Sequence, residues 1–514
     1  MENQNEQTFQ SVSNEQVAKW IEAGKPIQGI QTENLSFVKQ IFLQPIQFSN
    51  CQLKAWEIRQ CIFKAPLVFS EVTFLGKVDW NTEDNGTIFE KSVSFKNCVF
   101  LDEFQAKGVE FLEEAFWEKC RFEKRASFPC VRFRGKMSFE GSQFLDTSRF
   151  EDIMFHNTAF FQETRFVGKA NFKKSRFFEN AFFRKTIFED GATFENASIN
   201  TARFEDMYSK NKIIFKVVSF QGKSYFHRSR FDEEFIFRGC DVQDHIYLSH
   251  LDCKAKADFS GLEVFNSFVM EESSFQDMAD FSKSIFHHDV YLRGTVFHKE
   301  VNFSEAIFSM RFDLKDVKIQ EKIKLEDTRT ECMIIEKAQI EGKIFSDSSK
   351  EYANAKKVYA MLRRNFEITG NHDAADWAYY HFRCSERKSE KVTGIDSAMR
   401  RFFSWLFFDL GSGYGTKPSN VAILALLVIL SFSLIFWAFG DQFVIDSALR
   451  TPGMQGISFS QAFYLSAMTF TTLGTEGISP QFDNWIKYFV VWEGFLGLFL
   501  MTVFVGVYTR KMAK

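Results

Sequence analysis

The stretch Thr471-Thr472-Leu473-Gly474-Thr475-Glu476-Gly477-Ile478-Ser479-Pro480 carries the residues with the most direct chemistry in this chain. It lies between two apolar segments, Val421 to Phe439 and Trp485 to Tyr508, each long enough to span a bilayer as a helix. Ser458 to Phe470, just before it, makes a helix of ~18 Å at ~1.5 Å per residue, which enters a bilayer and stops halfway. Ser458 with Gln461 has the S-x-x-Q form of a capping box, the mark of a helix start. A helix that ends inside the membrane aims its partial negative charge at the bilayer centre. A glycine-permitted backbone beyond it offers carbonyl oxygens to a dehydrated ion. The chemistry such a stretch could perform is ion coordination. One copy of such a unit cannot enclose a pore, so several copies must share it.

Thr471-Thr472-Leu473-Gly474 resembles the T-T-V-G of two-helix potassium channels, and Pro480 falls where those channels often have proline. The resemblance covers roughly residues 395–514 and implies a homotetramer. It also implies a filter lined by the backbone oxygens of Thr472, Leu473 and Gly474 and by the Thr472 hydroxyl. Where that family has Tyr-Gly-Asp, this chain has Thr475-Glu476-Gly477. The string looks more like the T-I-G-E filter of poorly selective cation channels. Copies of Glu476 around a narrow mouth would repel one another unless cations were bound. The expectation is passage of monovalent cations, K+ or Na+, with weak discrimination and sensitivity to divalents and outside pH. The alternative is that Glu476 turns from the axis and bonds the pore helix.

Glu493 lies inside the second apolar segment, where a carboxylate is costly unless partnered or hydrated. It is expected behind the filter, hydrogen-bonded to the pore helix, with Thr471 as the candidate partner. A protonated Glu that is merely tolerated is the other reading. Gly497 follows Gly477 by twenty residues, the distance at which the resemblance places a hinge glycine. Gly494 and Gly497 are therefore hinge candidates, with close helix packing as the competing use.

The elements that must position this stretch begin far upstream. Phe accounts for 66 residues, so the architecture must bury Phe at regular intervals. Phe128, Phe133, Phe139, Phe144, Phe150 and Phe155 begin a run in which steps of five and six alternate through Phe194, a period of eleven. Small residues often stand two before each Phe, as Ala126, Ser142, Ala159 and Thr164 do. An α-helix would scatter positions five and six apart around its surface. A chain that turns a corner every five or so residues would bury them all, as a solenoid of β-coils does. The pattern resembles the pentapeptide-repeat family, which implies a right-handed β-solenoid whose four-faced coil takes two such periods. Weaker copies carry it to about residue 347.

The expected organisation is an N-terminal helical cap over 1–30, the solenoid over 31–347, a helical hairpin over 348–394, an interfacial helix and Gly-rich turn over 395–418, and the two-span pore domain over 419–514. The hairpin is expected from Tyr352, Ala355, Tyr359, Leu362 and Phe366, which recur at three and four, and from the Gly370-Asn371 break. Its role is open between a plug for the solenoid and a coupling element. Arg400-Arg401-Phe402-Phe403-Ser404-Trp405 is basic, then aromatic, as suits a helix lying on the inner leaflet.

Nine scattered cysteines form no CxxC, and no apolar leader opens the chain, so reduced thiols in the cytosol are expected. Arg400, Arg401, Lys417, Arg510 and Lys511 flank the spans, with Asp441, Asp446 and Asp483 between them. The positive-inside rule then puts both termini and the solenoid in the cytoplasm of a cell-membrane protein. The Asn85-Gly86-Thr87 sequon is accordingly read as unmodified. A net charge of −3 implies no bulk electrostatic partner, and the near balance of basic and acidic side chains over 31–347 lacks the charge density of a DNA mimic, so neither DNA mimicry nor a nucleic-acid partner is expected. No Gly-rich phosphate loop, H-E-x-x-H or G-x-S-x-G is present, and no catalytic or metal site and no cofactor is expected. Partners are the bilayer, further copies of the chain, and a protein or ligand on the solenoid. Two rival readings keep the same fold: a membrane-tethered scaffold that passes no ions, and a defence effector whose channel opens to depolarise its own cell.

Overall fold

The computed structural model describes residues 9–81, 86–446, 456–474, 477–481 and 483–512, which form two units, Met1–Ser349 and Lys350–Lys514.

The first unit is a parallel β-solenoid. One coil shows its construction. Gln143–Phe144 and Ser148–Arg149 join one sheet, and Met154–Phe155 and Ala159–Phe160 join a second. Each pairs with its equivalent one coil on: Arg121, Gln143, Arg165 and Ile187 stand in one column, each two periods of eleven after the last.

Two kinds of corner explain the alternation of five and six. In the five-residue step the chain makes a tight turn closed by a hydrogen bond from residue i+3 to residue i. The Ser142 amide donates to Phe139 O at 3.0 Å, and Thr186 to Phe183 O at 3.1 Å. The third residue of such a turn needs positive φ. Gly141, Asp152, Glu163, Lys174, Lys185 and Asn196 supply it, each eleven after the last. The six-residue corners between them stay open. The side chain after each left-handed residue points inward, and where it is Ser or Thr it bonds the coil before it. Thr164 Oγ1 donates to Phe139 O at 2.8 Å, and Thr186 Oγ1 to Phe161 O at 2.7 Å. Cys51, Cys61, Cys98, Cys120 and Cys240 occupy the same position, and the Cys240 thiol reaches Phe215 O at 3.1 Å. These cysteines are small donors in a serine–threonine ladder. Burial pushes the Cys240 thiol up to about 12, so it stays protonated.

The inward Phe side chains stack along the unit. Phe150, Phe172, Phe194 and Phe215 lie with ring centroids 4.7 to 4.8 Å apart and planes within 7°. Phe161, Phe183 and Phe204 form a second column at 4.6 Å. The two columns meet edge to face, as between Phe172 and Phe183. Stacking along a column and edge contact across it are the two favoured aromatic geometries.

The ends are closed within the unit. Asn14–Glu22 is the expected first helix, with Val17 and Ile21 buried and Gly24 at positive φ after it. Gln10–Val12 pairs with Ile30, so the sheet begins ahead of the residue 31 boundary set from sequence. At the other end two single-turn helices, Lys337–Ile340 and Phe345–Ser348, bury Ile340 and Ile344. The sequon residue Asn85 lies outside the described residues, and Thr87 is buried with its Oγ1 on the Cys61 amide.

The second unit is helical. Tyr352–Ile368 and His372–Ser389 form a hairpin whose turn has Gly370 at positive φ and Asn371 capping the Ala374 amide. Ile395–Phe403 is amphipathic and runs into a widened helical turn, Ser404–Gly411. Then come the first span, Pro418–Ala438, the pore helix, Phe459–Phe470, and the second span, Ile486–Met512.

Candidate ion-conduction site

The pore helix starts where its sequence says it should. Ser458 Oγ accepts the Gln461 amide at 3.3 Å, and Gln461 Oε1 accepts the Ser458 amide at 2.9 Å. Its N-terminal half sits in an apolar cluster of Phe436, Phe443, Ile457, Ala462, Leu465 and Ile486.

The far end closes through two backbone bonds. The Leu473 amide reaches Met468 O at 3.1 Å, and the Thr472 amide reaches Thr469 O at 3.0 Å. This is a Schellman closure, in which the residue after the cap adopts the left-handed conformation. Glycine normally takes that place. Here it is Thr472, at φ 57°, a β-branched residue in a strained region. Its hydroxyl turns to Thr471 O at 2.7 Å. Leu473 and Gly474 follow, exposed, with Gly474 at φ 83°. Thr475 and Glu476 lie outside the described residues.

The stretch is anchored again beyond them. Ile478–Pro480 pairs antiparallel with Phe443–Ile445, just after the first span. The Asp446 amide donates to Gly477 O at 2.8 Å, and Gly477 has φ 80°. Residues 473–476 therefore connect a helix end and a strand that are both fixed by backbone bonds.

Glu493 is fully buried and bonds the pore helix, but through Ser466 and not Thr471. Thr471 Oγ1 instead bonds back to Ala467 O at 2.8 Å, a geometry open to any Thr at a helix end. Ser466 Oγ also lies 2.8 Å from Ile429 O of the first span. One hydroxyl thus joins all three membrane helices. Glu493 Oε2 is buried without a hydrogen-bond partner among the described residues. Ser466 was not singled out from sequence. Its only signal is that a small polar residue follows Ala462 by four on the buried face of the pore helix.

Gly497 faces the pore-helix end. A Cβ there would stand 2.0 Å from Phe470 O and 2.9 Å from Phe470 Cα. Of the two uses open in the sequence, close packing is the one this contact describes. Gly494 has more room, with Thr469 O 3.8 Å from a notional Cβ.

The second hairpin helix reaches the start of the first span and the end of the second. Arg510 lies 3.7 Å from Asp376 and stands over the Tyr379 ring, while Lys417 Nζ is 4.3 Å from the Tyr380 ring centroid. Asp409 accepts from Tyr380 Oη at 2.7 Å and pairs with Arg387, whose Nε also donates to Tyr414 Oη at 3.1 Å. Burial, with Asp409 beside it, pushes the Tyr380 phenol well above its usual range. Asp409 is a second residue missed from sequence. Its signal is a lone acid in an aromatic run.

Among families of known proteins, a model described as ion channel matches residues 423–514, and one described as pentapeptide repeats matches nine copies over residues 150–198. The second match falls on the most regular coils. Neither the curated proteins nor the solved structures yield a match. The chain thus carries pentapeptide repeats within its solenoid and, at its C-terminal end, a segment matched by an ion-channel model. With two helices long and apolar enough to cross a bilayer, it is a membrane protein. Both families are non-enzymatic in general.

Proposed function

We propose that the chain forms a tetrameric cation channel of weak or altered potassium selectivity, with a cytoplasmic β-solenoid that gates, senses or recruits partners. The observation that carries this reading is the re-entrant arrangement. A twelve-residue helix, capped at its start, ends beside Gly497 of the second span, and the Thr471–Gly477 stretch leaves its C-terminus. That placement suits carbonyl coordination of K+ or Na+, since the helix C-terminus adds its own negative field. Glu476 supplies the charge at the mouth that favours cations and binds divalents. The basic ends at Lys417, Arg510 and Lys511 support a cytoplasmic location for both termini. The contacts of the second hairpin helix with Lys417 and Arg510 suit it to pass force to both spans. Glu493 and Ser466 brace the filter from behind.

Flux from liposomes holding the purified protein, under potassium, sodium and calcium gradients, tests the reading. Potassium and sodium should pass at similar rates with calcium blocking, and Glu476→Gln should relieve the block. An absence of flux with the solenoid folded would favour the tethered scaffold. Unaltered block in Glu476→Gln would remove Glu476 from the mouth.

A further inference from the structure

A pocket of about 490 Å³ opens between the end of the second hairpin helix, the amphipathic helix Ile395–Phe403 with its widened turn, and the middle of the second span. Its lining has two characters. Arg383, Arg387, Arg400 and Arg401 give it positive charge, while Phe403, Phe407, Leu496 and Phe499 give it an apolar wall.

The acidic groups at its border do not use up that charge. Glu386 is held by Lys356 at 2.8 Å and by Arg383 Nη1 at 2.6 Å. Asp409 is committed to Arg387, and Glu390 is the remaining carboxylate. Among the described residues the side chains of Arg400 and Arg401 make no ion pair, and Arg383, whose side chain is part-exposed and paired with Glu386 through Nη1, has its Nε shielded from solvent with no acceptor. An N–H shielded from water and left without an acceptor carries a free-energy cost that an anion's oxygens would remove.

We propose that this pocket binds an anionic phospholipid, with its phosphate on Arg383, Arg400 and Arg401 and an acyl chain along Leu496 and Phe499. The apolar wall selects a lipid over a soluble phosphate, which has nothing to place there. The amphipathic helix supports the same choice, because Ile395, Met399 and Phe402 are exposed on it. The same hairpin helix carries the contacts to Lys417 and Arg510, so an occupied headgroup site stiffens the junction of hairpin and spans. The proposal rests on the chain lying in a membrane and not on ion passage.

The test is native mass spectrometry of the full-length protein in detergent with phosphatidylglycerol or phosphatidylcholine. Phosphatidylglycerol should be retained preferentially. Arg400→Gln with Arg401→Gln should weaken its retention about twenty-five-fold, the product of about five-fold per arginine. Both side chains are at least part-exposed, so the double variant should keep its size-exclusion profile. Arg132→Gln, on the exposed solenoid surface, should change nothing. Equal retention of both lipids, or full retention in the double variant, overturns the proposal. Displacement of the lipid by millimolar inorganic phosphate overturns the choice of a lipid. Ion flux without selective lipid retention would remove this site and leave the channel reading standing, and retention without flux would do the reverse.

Discussion

The solenoid and the pore unit hold themselves together in opposite ways. In the solenoid the backbone pairing is repeated from one coil to the next, and a ring such as Phe172 or a hydroxyl such as Thr164 has equivalents above and below it. In the pore unit each contact occurs once per chain: a single hydroxyl joins three helices, and a single glycine admits the pore-helix end. Repetition spreads the effect of a change over neighbouring coils, as expected for a quasi-one-dimensional array. A node made once has no neighbour to share the loss. The first design tolerates sequence drift, and the second rests its packing on a few atoms.

Changes in each region should separate the two. The largest local effect is expected from Phe150→Ala, which empties a fully buried place between stacked rings at 5.3 and 4.8 Å. It should cost about 3–5 kcal/mol in hydrogen-exchange protection of its own and adjacent coils, leaving ion flux near wild type. Gly497→Val should cost less, about 1–3 kcal/mol of packing strain, yet abolish flux while the solenoid amides keep their protection. If flux survived Gly497→Val, the once-only contact at Phe470 would not be what holds the filter. Ser466→Ala leaves Glu493 without its hydrogen bond and should lower the thermal midpoint of the membrane unit by the equivalent of about 1–3 kcal/mol. Thr472→Gly removes a β-branched side chain from left-handed backbone and should stabilise the pore-helix end by about 1 kcal/mol, read by the same melt. Cys120→Ser should have the smallest effect, because serine already fills that ladder position one coil on, at Ser142.

The same contrast decides what the sequence made legible. The period of eleven could be read because Phe marks it, and it fades where another apolar side chain takes over. The column of Phe204 and Phe226 continues as Leu248, Met270, Leu292 and Leu314, buried at the same spacing but invisible to a search for Phe. The two corner types behind the five-and-six alternation could not be read. The left-handed position accepts Lys, Glu, Asp and Asn as well as Gly, and even Val217. In the pore unit, the capping box of Ser458 and Gln461 and the two spans are local patterns and were legible. The partner of Glu493 was not, because which residue of the pore helix meets the second span depends on how the helices lie against each other. Asp409 with Arg387 was hidden for the same reason, the two being joined across a connection with no periodic signal.

Single-channel recording from the purified protein in a planar bilayer, with potassium on one side and sodium on the other, tests the central claim most directly. A pore built from backbone oxygens of a weakly selective filter predicts cation current that reverses near zero voltage, is blocked by calcium, and is absent in Gly497→Val. A silent bilayer containing folded, inserted protein, or current carried by chloride, would contradict it.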